Sequence, residues 1–96
     1  MSKRHGKKWM KKAIRSAYLG MKKSAGGPFG ACIVHKGKAI AAAYNTVLRS
    51  QDATCHAEIN AIRTASRELK TFDLSGCAIY STTEPCPMCF AALALF

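Results

Sequence analysis

Acidic side chains are scarce in this chain: five Asp and Glu stand against fifteen Lys and Arg, and none of the five falls in residues 1–23. The imbalance is local. Lys3, Arg4, Lys7, Lys8, Lys11, Lys12, Arg15, Lys22 and Lys23 carry most of the net charge of +10, whereas residues 24–96 hold six cations and five anions. A chain basic along its whole length is thereby excluded. What remains is one basic N-terminal segment, which suits RNA phosphates or, as the favoured reading, a solvated helix face.

Long apolar runs are also missing. The longest, residues 88–96, is too short to cross a bilayer, so no membrane span is expected. Five cysteines cannot all pair, and no secretory leader is expected, which argues against a disulfide framework. Free thiols in a reducing cytoplasm fit better. Extended polar tracts are absent too: with 49% hydrophobic residues, wholesale disorder is excluded. Ninety-six residues suffice for one small domain, residues 1–96, whose modest core could lean on a metal or a partner.

What is present has clear periodicity. Residues 7–23 space Met10, Ile14, Ala17 or Tyr18, and Met21 by threes and fours among lysines, predicting an amphipathic helix packed by that stripe. Gly26 and Gly27 are expected to stop it. Residues 29–35 and 38–44 read as strands, with Lys36-Gly37 as a tight turn and Ala31, Ile33, Ile40 and Ala42 as sheet positions. Residues 45–54 read as an irregular loop. Residues 57–69 form a second amphipathic helix, with Cys55 and His56 at its start. A third strand covers residues 76–81, and a third helix opens near Cys86. That helix is apolar on every side and has no closing cap, so the domain is expected to be incomplete at its C-terminus.

Cys86-Pro87-Met88-Cys89 sets two thiols three residues apart at a helix start, where one metal can reach both and unpaired N–H groups favour thiolates. Alone, the pair could equally be a redox couple or half of a structural zinc site. His56 supplies a third ligand, and zinc with three protein ligands keeps a position for water, whose pKa it lowers to about 7. Glu58, two residues on, can take and return the water's proton. Cys55 is the rival: as a fourth thiolate it would close the site and make it structural, although it is expected to point elsewhere. His56-Ala57-Glu58 followed by Pro85-Cys86-Pro87-Met88-Cys89 is a recognised pattern of zinc nucleobase deaminases.

On Gly26-Gly27-Pro28-Phe29-Gly30-Ala31, Cys55-His56-Ala57-Glu58 and Thr83-Glu84-Pro85-Cys86-Pro87-Met88-Cys89, the chain resembles the cytidine deaminase-like superfamily. Its branch holds bacterial guanine deaminases, cytosine deaminases and tRNA adenosine deaminases. The first segment is most similar to guanine deaminases; tRNA adenosine deaminases usually carry valine-proline-valine-glycine there. The resemblance implies an α/β protein with a three-layer α/β/α fold, of which the first three strands and first three helices are present. It implies one Zn2+ per chain and a small-molecule base or nucleoside substrate, guanine foremost. Editing of tRNA adenosine and an inactive zinc-binding fragment are the alternatives. By the same likeness Phe29 lines the pocket and Asn45 hydrogen-bonds the base ring. The N–H of Ala57 and the carbonyl of Glu84 contact the substrate's oxygen and amino group. Related enzymes are commonly dimers, which leaves a homodimer open, and they continue past the third helix into elements that close over the substrate.

Overall fold

The computed structural model describes residues 3–96. Seven elements follow in order: α1 (Lys3–Lys22), β1 (Gly30–His35), β2 (Lys38–Tyr44), α2 (Val47–Ser50), α3 (Ala57–Leu69), β3 (Cys77–Ser81) and α4 (Pro87–Ala94). β1 is the central strand, antiparallel to β2 on one side and β3 on the other. Its side chains serve two cores. Ala31 and Ile33 pack with Ala57, Ala61 and Ala65 of α3, while Cys32 and Val34 pack with Trp9 and Ala13 of α1. Strand alternation sends neighbouring residues to opposite faces, so a strand apolar at every position must be covered twice. The result is the expected three-layer α/β/α arrangement.

Small residues set the spacing of the layers. A Cβ on Gly30 would collide with the Ala13 carbonyl and the Ala17 amide of α1, so the helix lies directly on the start of β1. This close approach keeps only part of the expected stripe inside, Met10 half-buried on the core and Ala17 buried. Trp9, Ala13, Ser16 and Ala17 are buried, whereas Ile14, Tyr18 and Met21 are exposed and line a shallow groove with Pro28 and Thr82. The helix ends at Lys22, and the left-handed residue after it is Ser24 (φ 52°), ahead of the expected glycines.

The hairpin between β1 and β2 turns on Lys36 (φ 51°) and Gly37 (φ 75°), the paired positive φ values of a type I′ turn. A bulge between Ile33 and Val34 in the register shifts β2, so Ala41 is buried and the expected sheet position Ala42 is exposed. The stretch expected to be an irregular loop contains the single helical turn α2. The Asn45 side chain accepts from the Val47 amide at 3.0 Å and starts that turn. Among the described residues, no helix is long and apolar enough to cross a membrane.

Candidate metal centre and active site

The strand register brings one set of element ends together. Gly30 opens β1 opposite Tyr44, the last residue of β2, and Ala31 pairs with Ser81, the last residue of β3. Thr82 then clips the exit of β3 to Gly30 by exchanging a backbone bond (3.0 Å) and a hydroxyl bond (3.1 Å) with it. On the other side, Asn60 Nδ2 lies 2.9 Å from the Tyr44 carbonyl, 2.9 Å from Thr46 Oγ1 and 3.3 Å from the Cys55 carbonyl. That one amide ties the end of β2 to the start of α3. His56 is the residue preceding α3, and Cys86 the residue preceding α4.

His56, Cys86 and Cys89 present their donor atoms within 4.8 Å of one another. His56 Nδ1 lies 3.5 Å from Cys86 Sγ and 3.6 Å from Cys89 Sγ. Tetrahedral zinc with its usual Zn–N and Zn–S lengths would hold such a nitrogen and sulfur about 3.6 Å apart. Each sulfur therefore sits at the distance from the His56 nitrogen that zinc requires, and the nitrogen-and-thiol chemistry of the set suits that ion. Cys86 Sγ accepts the Cys89 backbone N–H at 3.5 Å. Chiefly for that reason its thiol is held below the ordinary range, against the opposing effects of burial and the Glu58 charge. Cys89 is fully buried, and burial first, then its contact with Cys86 and the Glu58 charge, push its thiol up to about 12. A cation would reverse that penalty, since a coordinated thiol is deprotonated outright. Cys55 is elsewhere: its sulfur faces Arg63 Nη1 at 3.5 Å, outside the cluster.

A cavity of about 210 Å³ opens beside these donors, lined by Phe29, Asn45, His56, Ala57, Glu58, Thr83, Glu84 and Cys86. The structure thus gathers Phe29, Asn45, Ala57, Glu58 and Glu84 with two of the three donors, and Cys89 sits behind them. Glu58 is 3% exposed. Ala57 is the first residue of α3, where a helix leaves its N–H groups without internal partners. Asn45 is buried and its Oδ1 is taken by Val47, so Nδ2 is the group left to donate into the cavity. Gly26 makes room for this side chain, because a Cβ there would strike the Asn45 amide. Thr83, Asn60 and Gly26 were not singled out from sequence as site residues. Thr83 adjoins Glu84 in the cysteine motif, and Asn60 lies one turn after His56.

A three-layer α/β/α sandwich that sets a His, Cys, Cys cluster and a buried glutamate at two helix starts defines the zinc-dependent deaminase class. The chain belongs to the cytidine and deoxycytidylate deaminase zinc-binding family, whose sequence profile matches residues 3–96. Guanine deaminase of Bacillus subtilis is 45% identical over 85 residues, covering 88% of this chain and 54% of that protein. Its crystal structure superposes with a TM-score of 0.90 at 41% identity, over 98% of this chain and 58% of the other. The tRNA-specific adenosine deaminase of Aquifex aeolicus is also 45% identical, over 87 residues, covering 91% of this chain and 57% of its own. A structure from work on A-to-I editing by tRNA:A34 deaminases gives a TM-score of 0.87 at 36% identity, covering 92% and 67%. The chain spans little more than half the length of the Bacillus and Aquifex enzymes.

Proposed function

We propose that this chain carries the catalytic half of a hydrolytic deaminase acting on a purine base, with guanine as its substrate. The observation that carries this reading is a cavity walled by a buried carboxylate and by His56 and Cys86, with Cys89 behind them and both sulfurs 3.5–3.6 Å from His56 Nδ1. His56, Cys86 and Cys89 would hold the ion, which when bound supplies a water acidic enough to react at neutral pH. Glu58 would relay two protons: the first from that water to the ring nitrogen, and the second from the remaining hydroxyl to the amino group, which leaves as ammonia. Asn45 donates to an acceptor on the ring edge, Phe29 lines the pocket, the Ala57 N–H donates to the substrate's oxygen, and the Glu84 carbonyl accepts from its amino group. A cavity below the roughly 300–1,000 Å³ of a drug-sized site suits a flat base.

Support for guanine comes from the likeness of residues 26–31 to guanine deaminases. Deamination of adenosine in tRNA is the second reading, favoured by equal identity to the Aquifex enzyme. Five free thiols suit a reducing cytoplasm, and the exposed Phe90 and Leu95 at the C-terminal helix suit a homodimer. Zinc-loaded protein offered guanine, cytosine, adenosine and a tRNA anticodon stem-loop should release ammonia fastest from guanine. Release from the stem-loop alone would replace guanine with the second reading, and release from none would defeat both.

A further inference from the structure

Residues 44–46 alternate between two hollows. Tyr44 and Thr46 line a cleft walled by β2, α2 and α3, whereas Asn45 lines the candidate catalytic cavity. The last ladder pair of β2 joins Tyr44 to Gly30, and beyond it the Asn45 amide reaches back to the Phe29 carbonyl at 3.1 Å. On the α3 side the segment meets Asn60. At 3.6 residues per turn Asn60 stands about 200° round the helix from Glu58, so it faces the cleft while Glu58 faces the cavity. Its Nδ2 lies 2.9 Å from the Tyr44 carbonyl, 2.9 Å from Thr46 Oγ1 and 3.3 Å from the Cys55 carbonyl. Two of these partners are carbonyls, which only accept, so the nitrogen and not the oxygen of the amide must face them. One donor group thus grips the chain immediately before and after Asn45, and immediately before His56.

We propose that Asn60 is a positioning residue for the base: from behind the cavity wall it sets Asn45 in register with the helix start that carries His56, Ala57 and Glu58. The proposal rests on the deaminase reading, in which Asn45 donates to the ring edge. Asn60 does not line that cavity, so it acts through Asn45. His56 directly precedes α3, and its carbonyl accepts the Asn60 backbone N–H at 2.9 Å. The metal donor therefore keeps its place when the Asn60 side chain is removed. Asn45 does not. Its own side-chain bond goes to Val47, two residues on, and fixes it only within its loop. The bond from the Thr46 N–H to the Cys55 carbonyl (3.0 Å) would then hold the chain on one side of Asn45 alone. A hydrogen bond weakens steeply with misalignment, so a small shift of Asn45 relative to α3 forfeits the contact with the ring. A contact made alike in the bound substrate and in the transition state appears in KM and not in kcat.

The side-chain amide of Asn45 reports its own placement by NMR. In isotope-labelled, metal-free protein, Asn60→Ala should shift the Asn45 Nδ2 resonances and leave the core amides of β1, residues 31–34, where they were. In zinc-loaded protein the same variant should raise KM for the deaminated base about tenfold, the loss of one neutral hydrogen bond, with kcat and zinc affinity at the parent's level. Thr46→Val removes one of the three acceptors and keeps the side-chain outline. It should move KM the same way by a smaller factor, and it keeps the test valid if Asn60→Ala does not fold. In an Asn45→Ala background, Asn60→Ala should add no further rise, because the group it places is gone. Unmoved Asn45 resonances would overturn the proposal. So would a KM rise that persists without Asn45, or a zinc affinity that falls in step with it, which would mean general loosening at the start of α3. Absence of turnover on every base would defeat the deaminase reading, and the Asn45 resonances would still decide whether Asn60 places that side chain.

Discussion

Glu58 and Cys86 ask different things of the same cavity. Glu58 is buried beside two thiols yet is given no part in holding a metal, so its replacement separates chemistry from binding. Glu58→Ala should retain zinc at the level of the parent while kcat falls by roughly 10²–10⁴, the usual share of a positioned acid–base group. Zinc content and ammonia release, measured on one sample, check this; turnover at the parent rate would remove Glu58 from the mechanism. Cys86 makes a prediction about the metal-free protein. Its thiol is held below the ordinary range by the Cys89 N–H, whereas burial raises Cys32, Cys77 and Cys89. The thiolate is the nucleophile, so alkylation should begin at Cys86 at a lower pH than at those three and rise with pH until its thiol is ionised. Peptide mapping after brief iodoacetamide treatment reads the order, and saturating zinc should suppress the Cys86 product. At this scale the sequence was informative because ligands must stand at fixed short spacings. Thr83 and Asn60 carry no such spacing, and their places follow only from how the chain folds back.

Between elements, packing depends on which residues are small, and small residues leave little trace in a hydrophobic pattern. The stripe of Met10, Ile14, Ala17 or Tyr18, and Met21 marks a helix correctly but only part of its buried side: Ala17 is buried and Met10 packs on the core, whereas Ile14, Tyr18 and Met21 are exposed. Ala13 and Ala17 let the backbones approach, and Gly30 accepts them. Alanines at 39, 41, 42 and 43 of β2 likewise erase the alternation that would have revealed the bulge, and the single turn α2 is too short for any period. α3 was legible to its boundaries, since its apolar period continues for 13 residues and ends in a left-handed Lys70. The close approach at Gly30 can be tested. Gly30→Ala forces α1 off β1, an overpacking that costs about 1–3 kcal/mol in a tight core. Thermal melting should fall by several degrees, while Gly37→Ala, where a Cβ meets nothing within 4 Å, carries only the strain of a positive φ. A Gly30→Ala melting point equal to the parent's would mean that the layers are looser than the backbone contacts indicate.

For the whole molecule, the three donors connect parts that are otherwise held unequally. α1 and α3 are buried against the sheet over much of their length, whereas Cys89 is the one buried residue of α4, and Phe90 and Leu95 face outward. A short helix with one buried side chain gains little from apolar burial, so its position depends on whatever holds Cys86 and Cys89 to His56. A bound ion would join the start of α4 to the start of α3, adding stability by mass action, about 2.7 kcal/mol at a hundred times its dissociation constant. The gain should be uneven. Chelation should raise amide hydrogen exchange in residues 87–94 far more than in β1, because the local opening of α4 is released while the double-sided core persists. Cys89→Ala should reproduce that exchange pattern with zinc present. If chelation instead lowered protection in β1 and α4 equally, the metal would be supporting the entire fold, and α4 would be better anchored than its single buried residue implies.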